Sequence, residues 1–223
     1  MGGILISNAV TRHYDNGRYS LINSKEYICN DIVFELNYEK DKNHSPIRKE
    51  IMDRFIDQIC AMRTHYKKTF AFRFDLHTRN YIYVPEGNRL VSQLFTRLHG
   101  KFKAKNWNKQ PIKNSANGWV REIGDKEEKL HYHCWLALPY FQVRKPGFND
   151  SGIFGLINSI WGELTGGNGY TYLCDGRYVI DRDDDEALKA FITQVSYMAK
   201  SRGKFSTGDG HRIFSASRLA RKI

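Results

Sequence analysis

His131 and His133 stand two residues apart in the run His131, Tyr132, His133, Cys134, Trp135, Leu136. In an extended chain, residues two apart share a face, so both imidazoles point one way while Tyr132, Cys134, Leu136 and Leu138 point to the core. Two imidazoles with the same aspect make half of a divalent-metal site. Glu122 precedes them on what reads as the other strand of a hairpin, close enough in register to offer a carboxylate as third ligand. A set of two histidines and a carboxylate leaves coordination positions open for a phosphate oxygen. Asp75 and His77, on the polar face of another strand, are reserve candidates. A His-x-His pair alone arises often by chance; the glutamate across a hairpin makes it more specific.

A second chemical signal is Tyr197. Leu188, Phe191, Ile192, Val195 and Ala199 form the apolar stripe of a helix, and at roughly 100° per residue Tyr197 falls almost opposite its centre. A tyrosine kept for packing belongs on the stripe. Lys200, one turn on, projects from a neighbouring part of the same face. A phenol placed there can attack a phosphodiester, and a nearby ammonium can stabilise the phenolate or the crowded phosphate. Alone, the spacing also describes a surface tyrosine beside a surface lysine. The histidine pair and the charge of the chain favour the chemical reading.

That charge is +11 over 223 residues, the footprint of a polyanion binder, nucleic acid above all. A composition 41% hydrophobic and 26% charged allows a real core. Cys29, Cys60, Cys134 and Cys174 are scattered and form no Cys-x-x-Cys pair, which argues against a zinc ribbon or disulfide framework. No run is long enough for a signal peptide or a membrane span, so a soluble, cytoplasmic protein without a membrane partner is expected. Lys101, Lys103, Lys105 and Trp107 form a basic segment that could follow a phosphate backbone and stack a base. The competing reading is a solvated basic loop with its tryptophan tucked against the domain. The acidic run over 181–186 reads as a favourable start to the last helix rather than a catalytic group.

The elements that must position these residues follow from periodicity. Residues 1–44 are polar and turn-rich and read as an N-terminal extension of undisclosed role, with the main domain over 45–223. Ser45 and Pro46 predict a helix start, and Ile51, Phe55, Ile59 and Met62 its buried stripe, to about residue 66. Phe70, Phe72, Phe74 and Leu76 alternate with Ala71, Arg73, Asp75 and His77, a half-buried strand. Further helices are predicted over 88–105, 151–164 and 183–200, and strands over 119–124, 131–138 and 170–174. The fold class is α+β, an antiparallel sheet with helices on one face and the other face open.

Phe74, Asp75 and Leu76, then Glu122 with His131 and His133, then Tyr197 with Lys200, occur in the order seen in rolling-circle replication initiators of the HUH superfamily. The chain resembles most the filamentous-phage (inovirus) and prophage type, over roughly residues 70–218, and its ending, with Arg212, Phe214, Ser217 and Arg218, looks like that group's basic closing motif. The resemblance implies a ferredoxin-like HUH endonuclease domain holding Mg²⁺ or Mn²⁺ on His131, His133 and Glu122. Tyr197 would be the nucleophile, forming a 5′-phosphotyrosine and a free 3′-OH. Arg73, the lysine-rich segment, Arg212 and Arg218 would hold single-stranded or locally melted origin DNA. No Gly-x-x-x-x-Gly-Lys loop is present, so unwinding falls to a host helicase and extension to a host polymerase. A single tyrosine on this helix, where some initiators carry two, implies one strand transfer per site. Alternatives are a relaxase, a single-tyrosine transposase, or a non-catalytic origin-binding protein.

Overall fold

The computed structural model describes residues 20–39, 46–104, 107–124, 129–202, 204 and 211–223. The elements in chain order are β1 (Leu21–Ile22), β2 (Glu26–Cys29), β3 (Ile32–Glu35), β4 (Ile47–Arg48), α1 (Lys49–His65), β5 (Lys68–Thr78), α2 (Val84–Ala104), β6 (Ala116–Ile123), β7 (Leu130–Pro139), α3 (Gly152–Leu164), β8 (Gly169–Asp181), α4 (Glu186–Ser196) and β9 (Phe214–Ala216). A 3-10 turn, Tyr197–Ala199, extends α4. The main sheet has the order β8-β5-β7-β6-β9 with every neighbour antiparallel. The α+β class and the antiparallel sheet are as expected from the sequence.

The period-two pattern of β5 divides its two faces. Phe70, Phe72, Phe74 and Leu76 join Tyr132, Cys134, Leu136 and Leu138 of β7 in a core closed by Leu90, Leu94 and Leu98 of α2 and by Ile153, Ile157 and Trp161 of α3. The opposite face is not wholly open, which corrects the one-faced arrangement expected. Ala71, Ala116, Val120, Trp135 and Ala137 form a second core with Ile51, Phe55 and Ile59 of α1 and Leu188, Phe191 and Val195 of α4. The physical reason lies in the helices: α1 and α4 each carry an apolar stripe that has to be covered. Small residues let them come close. A Cβ on Gly118 would collide with Trp135 Nε1 and with Phe55, whose rings meet edge to face there. This cover ends part-way along the sheet. Arg73, Asp75 and His77 of β5, with His131 and His133 of β7 and Glu122 of β6, lie on the same face beyond it.

Other boundaries moved for identifiable reasons. Pro46 does not open α1, because Ile47 and Arg48 pair with Ile22 and Leu21 as a short ribbon, and the helix begins at Lys49; Ser45 lies outside the described residues. Within the stretch read as an extension, Phe34 and Leu36 are buried in the second core, so residues 20–39 are built into the domain. The strand predicted over 170–174 runs on to Asp181, crossing a register shift opposite Phe72 and Phe74 with Gly176 at φ +91°. The last helix ends at Ser196 rather than Lys200. Its acidic approach is held by an Arg63–Asp185 ion pair at 2.7 Å. Among the described residues no helix is long and apolar enough to cross a membrane.

Candidate metal centre and its tyrosine

Register places the ligand set. Antiparallel pairing sets Glu122 directly opposite His131, and Asp75 directly opposite His133. Paired residues in such a ladder share a face, so two histidines and two carboxylates from three strands converge. One ligand atom each from Glu122, His131 and His133 lies within 4.8 Å of the others. The expected metal triad is therefore brought together. Asp75 has a different part: His133 Nδ1 lies 2.8 Å from its Oδ1. Arg73 Nη2 stands 3.5 Å from both His133 Nδ1 and Asp75 Oδ2. A guanidinium only donates, so Nδ1 either accepts from Arg73 or donates to Asp75, and the shorter contact decides for Asp75.

That bond fixes the tautomer. With Nδ1–H given to Asp75, a neutral His133 turns the lone pair of Nε2 outward, the arrangement that a carboxylate behind a metal-binding histidine imposes. Nε2 is buried, has no hydrogen-bond partner among the described residues, and lies 3.4 Å from Glu122 Oε2. Two acceptors facing each other at that distance need a cation between them or a proton on one of them. His131 Nε2 lies 4.0 Å from Glu122 Oε1 and completes the donor set. Nitrogen from two imidazoles with one carboxylate suits a divalent metal and leaves positions free for an oxygen ligand.

The electrostatics agree with this construction. Burial works to raise the Glu122 carboxyl, but His133, Lys204 and Lys200 outweigh it and hold it well below the usual carboxylate range. Burial also opposes ionisation of Asp75, yet His133 and Arg73 bring it down to about 2. His131 is lowered to about 4 by burial and by the neighbouring His133. Burial lowers His77 as well. Its ring stacks on His131, with centroids 5.4 Å apart and planes 12° apart, so it flanks the ligand set.

Tyr197 reaches the site from the end of α4. Its ring lies edge-on to His133 at 6.0 Å, and the Arg73 guanidinium carbon sits 5.1 Å from the ring centre. Lys200 Nζ donates to the Tyr197 hydroxyl at 2.8 Å and lies 3.5 Å from Glu122 Oε1. The lysine is not on an exposed polar face as expected: it is 7% exposed, buried between phenol and carboxylate. The segment is anchored to β4, where Ser201 N donates to the Pro46 carbonyl and Arg48 Nη2 to the Lys204 carbonyl. No family model, no curated protein and no solved structure matches this chain.

The remaining expected residues are spread more widely. Arg73 lies beside the Glu122, His131 and His133 cluster, in contact with Asp75 and Tyr197. Lys101 and Lys103 are exposed on the last turn of α2, and Lys105 lies outside the described residues. Trp107 is half-buried with its ring edge-on to Phe102 at 6.1 Å, the packed alternative rather than a free stacking ring. Arg218 and Lys103 line a shared open cleft with Lys113, and Arg212 is exposed next to β9. Among the described residues, no ion pair or hydrogen bond joins Lys101, Lys103, Arg212 or Arg218 to Glu122, His131 or His133.

Lys204 went unread in the sequence. It is 2% exposed, and its ammonium contacts Glu122 Oε2 at 3.0 Å. Burial lowers its pKa to about 8, against the pull of Glu122. Nothing local distinguishes it, since its partner is 82 residues away in the chain. It occupies one oxygen of the carboxylate that a metal would use. A Lys204→Met protein should therefore bind Mn²⁺ about tenfold or more tightly, because an ammonium a few ångströms from a divalent ion is repelled even at an effective dielectric of about 20. Titration followed by the free-Mn²⁺ resonance measures it; equal affinities would mean that the lysine swings away at no cost.

A pH dependence of stability also follows. His131 titrates at about 4 in the fold, below its ordinary 6.5. Between those values the unfolded chain holds the extra proton, so stability falls as pH drops through that window and is unaffected by this group above it. At about 1.4 kcal/mol per pH unit the loss reaches up to about 3 kcal/mol. Asp75, at about 2 against 3.8, adds a loss in the same direction at lower pH. Urea unfolding in EDTA at several pH values should show the slope, and His131→Gln should flatten it between pH 4 and 6.5.

Proposed function

We propose that the protein nicks and rejoins single-stranded DNA through Tyr197, initiating rolling-circle replication. The observation that carries the reading is the chain of contacts from Asp75 through His133 to Glu122, with Lys200 bridging that carboxylate to the Tyr197 hydroxyl. Glu122, His131 and His133 would hold Mg²⁺ or Mn²⁺, which supplies charge to polarise a phosphate oxygen when bound. The chain's own groups do the rest. Asp75 holds His133 in the ligating tautomer. Lys200, already donating to the Tyr197 oxygen, lowers the cost of forming a phenolate, and Arg73 beside the ring adds positive potential.

Attack by the Tyr197 oxygen forms a phosphorus–oxygen bond and breaks the bond to the 3′ oxygen, which leaves as a 3′-OH carrying the proton lost from the phenol. The phosphodiester energy stays in the phosphotyrosine, so the reverse attack by a 3′-OH rejoins the strand. Three cations, Arg73, Lys200 and Lys204, against two carboxylates leave the centre suited to an anionic strand. The excess of Lys and Arg over the whole chain supports the same class of substrate. Host helicase and polymerase would open the duplex and extend the free 3′ end.

The test incubates the protein with labelled single-stranded DNA covering its replicon's candidate origins, in Mn²⁺ or in EDTA. A denaturing gel should show a protein–DNA adduct only with the metal. Binding without an adduct across all candidates would assign the protein to non-catalytic origin binding instead.

A further inference from the structure

The open part of the sheet face does not stop at the ligand set. β8 is the outer strand next to β5, and the register sets Tyr170 opposite His77 and Tyr172 opposite Asp75. Directly paired residues share a face, so both tyrosines stand on the side that carries the metal centre. Tyr170 is 43% and Tyr172 57% exposed. Tyr170 stacks on His77, centroids 5.0 Å apart and planes 12° apart, and His77 stacks in the same way on His131. A row of three near-parallel rings thus runs from a ligand histidine to the sheet edge. Arg79 lies with its guanidinium carbon 5.6 Å from the Tyr170 ring centre, held by a bond from Nη1 to the Gly167 carbonyl. Tyr81 and Tyr83, exposed and edge to face at 5.2 Å, follow in the loop leaving the same end of β5.

Two exposed tyrosines on one face, one of them ending a row of stacked rings that starts at His131, with a cation beside that ring, match the requirements of an unpaired nucleotide strand. Bases present flat faces that stack on such rings whatever their sequence, while the cation meets the backbone. A paired duplex hides those faces. We infer that Tyr170 and Tyr172 form a stacking platform for unpaired bases next to the metal centre, with Arg79 holding the adjoining phosphate. The inference rests on the nucleic-acid reading above and adds to it where the strand lies and why it must be single. Sequence discrimination is expected to be weak on this surface, because stacking reads no hydrogen-bond pattern.

The experiment measures binding of a fluorescent oligothymidylate, and of an abasic strand of the same length, by anisotropy in EDTA, so that no nicking occurs. Wild type should prefer the base-bearing strand. Tyr170→Ala and Tyr172→Ala should each weaken that binding about tenfold and leave the abasic strand unaffected. The double Tyr→Phe protein keeps both rings and should bind as wild type does, which separates stacking from loss of fold or of the hydroxyls. Equal binding of the two strands by wild type, or alanine proteins that bind normally, would overturn the platform. The adduct assay reports separately: an adduct formed by wild type alongside alanine variants of normal affinity sinks the platform alone. Weakened alanine variants with no adduct from any candidate origin support the platform and remove the nicking.

Discussion

Tyr197→Phe is expected to abolish the covalent protein–DNA product while leaving strand binding within a factor of a few. The phenylalanine keeps the ring that lies against His133 and beneath Arg73, so the shape of the centre survives. It loses the oxygen that accepts from Lys200. Loss of that bond costs about 1 kcal/mol of stability, too little to unfold a domain with two full cores. Removal of an attacking atom acts only on the reaction, typically about 10⁴-fold or more in rate. The comparison is made on labelled origin strands in Mn²⁺, with anisotropy on the same strands in EDTA. An adduct formed at the wild-type rate would place the nucleophile elsewhere and remove Tyr197 from the reaction. Lys200→Met should fall between the two, since the phenol remains but the ammonium that favours its ionised form does not.

The prominence of Tyr197 in the sequence has a physical basis that other parts of the site lack. A residue off the apolar stripe of an amphipathic helix is visible from spacing alone, and so is a pair of histidines alternating with core residues in a strand. Glu122 was accessible because a hairpin fixes register over a few residues, and the structure sets it opposite His131. Asp75 was legible only as a polar residue on the correct face; its bond to His133 depends on the pairing of β5 with β7, some 58 residues apart. Lys204 carried no signal, because a buried lysine is explained by a distant carboxylate and not by its neighbours. The packing side of α1 and α4 was equally hidden. Their stripes announce helices, but the face they cover is decided by the small residues Ala71, Ala116, Gly118 and Ala137 of the sheet. The length of β8 was missed because its pattern breaks at the irregularity around Gly176.

Glu122→Ala should have the second large effect, and it should be double. The first part is chemical: the only carboxylate among the three ligands disappears, so Mn²⁺ affinity and adduct formation should both be lost. The second part is structural. Lys204, with no side-chain exposure, and Lys200, at 9%, would be left buried without the carboxylate they now share. Stranding one member of a buried ion pair costs about 3–5 kcal/mol. Part of this is relieved by releasing a proton, because the Lys204 pKa, already at about 8, falls further once Glu122 is gone. The unfolded chain then binds more protons than the folded one between that lowered value and about 10.5, so the variant should gain stability as pH rises from 7 to 9, more steeply than wild type. Glu122→Asp separates the two parts. It retains the negative charge beside both lysines, so melting temperature should stay near wild type, while the shorter side chain draws its oxygens back from His131 and His133 and weakens Mn²⁺ binding by about 10–100-fold. If Glu122→Asp bound Mn²⁺ and formed adduct as wild type does, the carboxylate would serve only to neutralise the lysines, and the metal would have to be held by other groups.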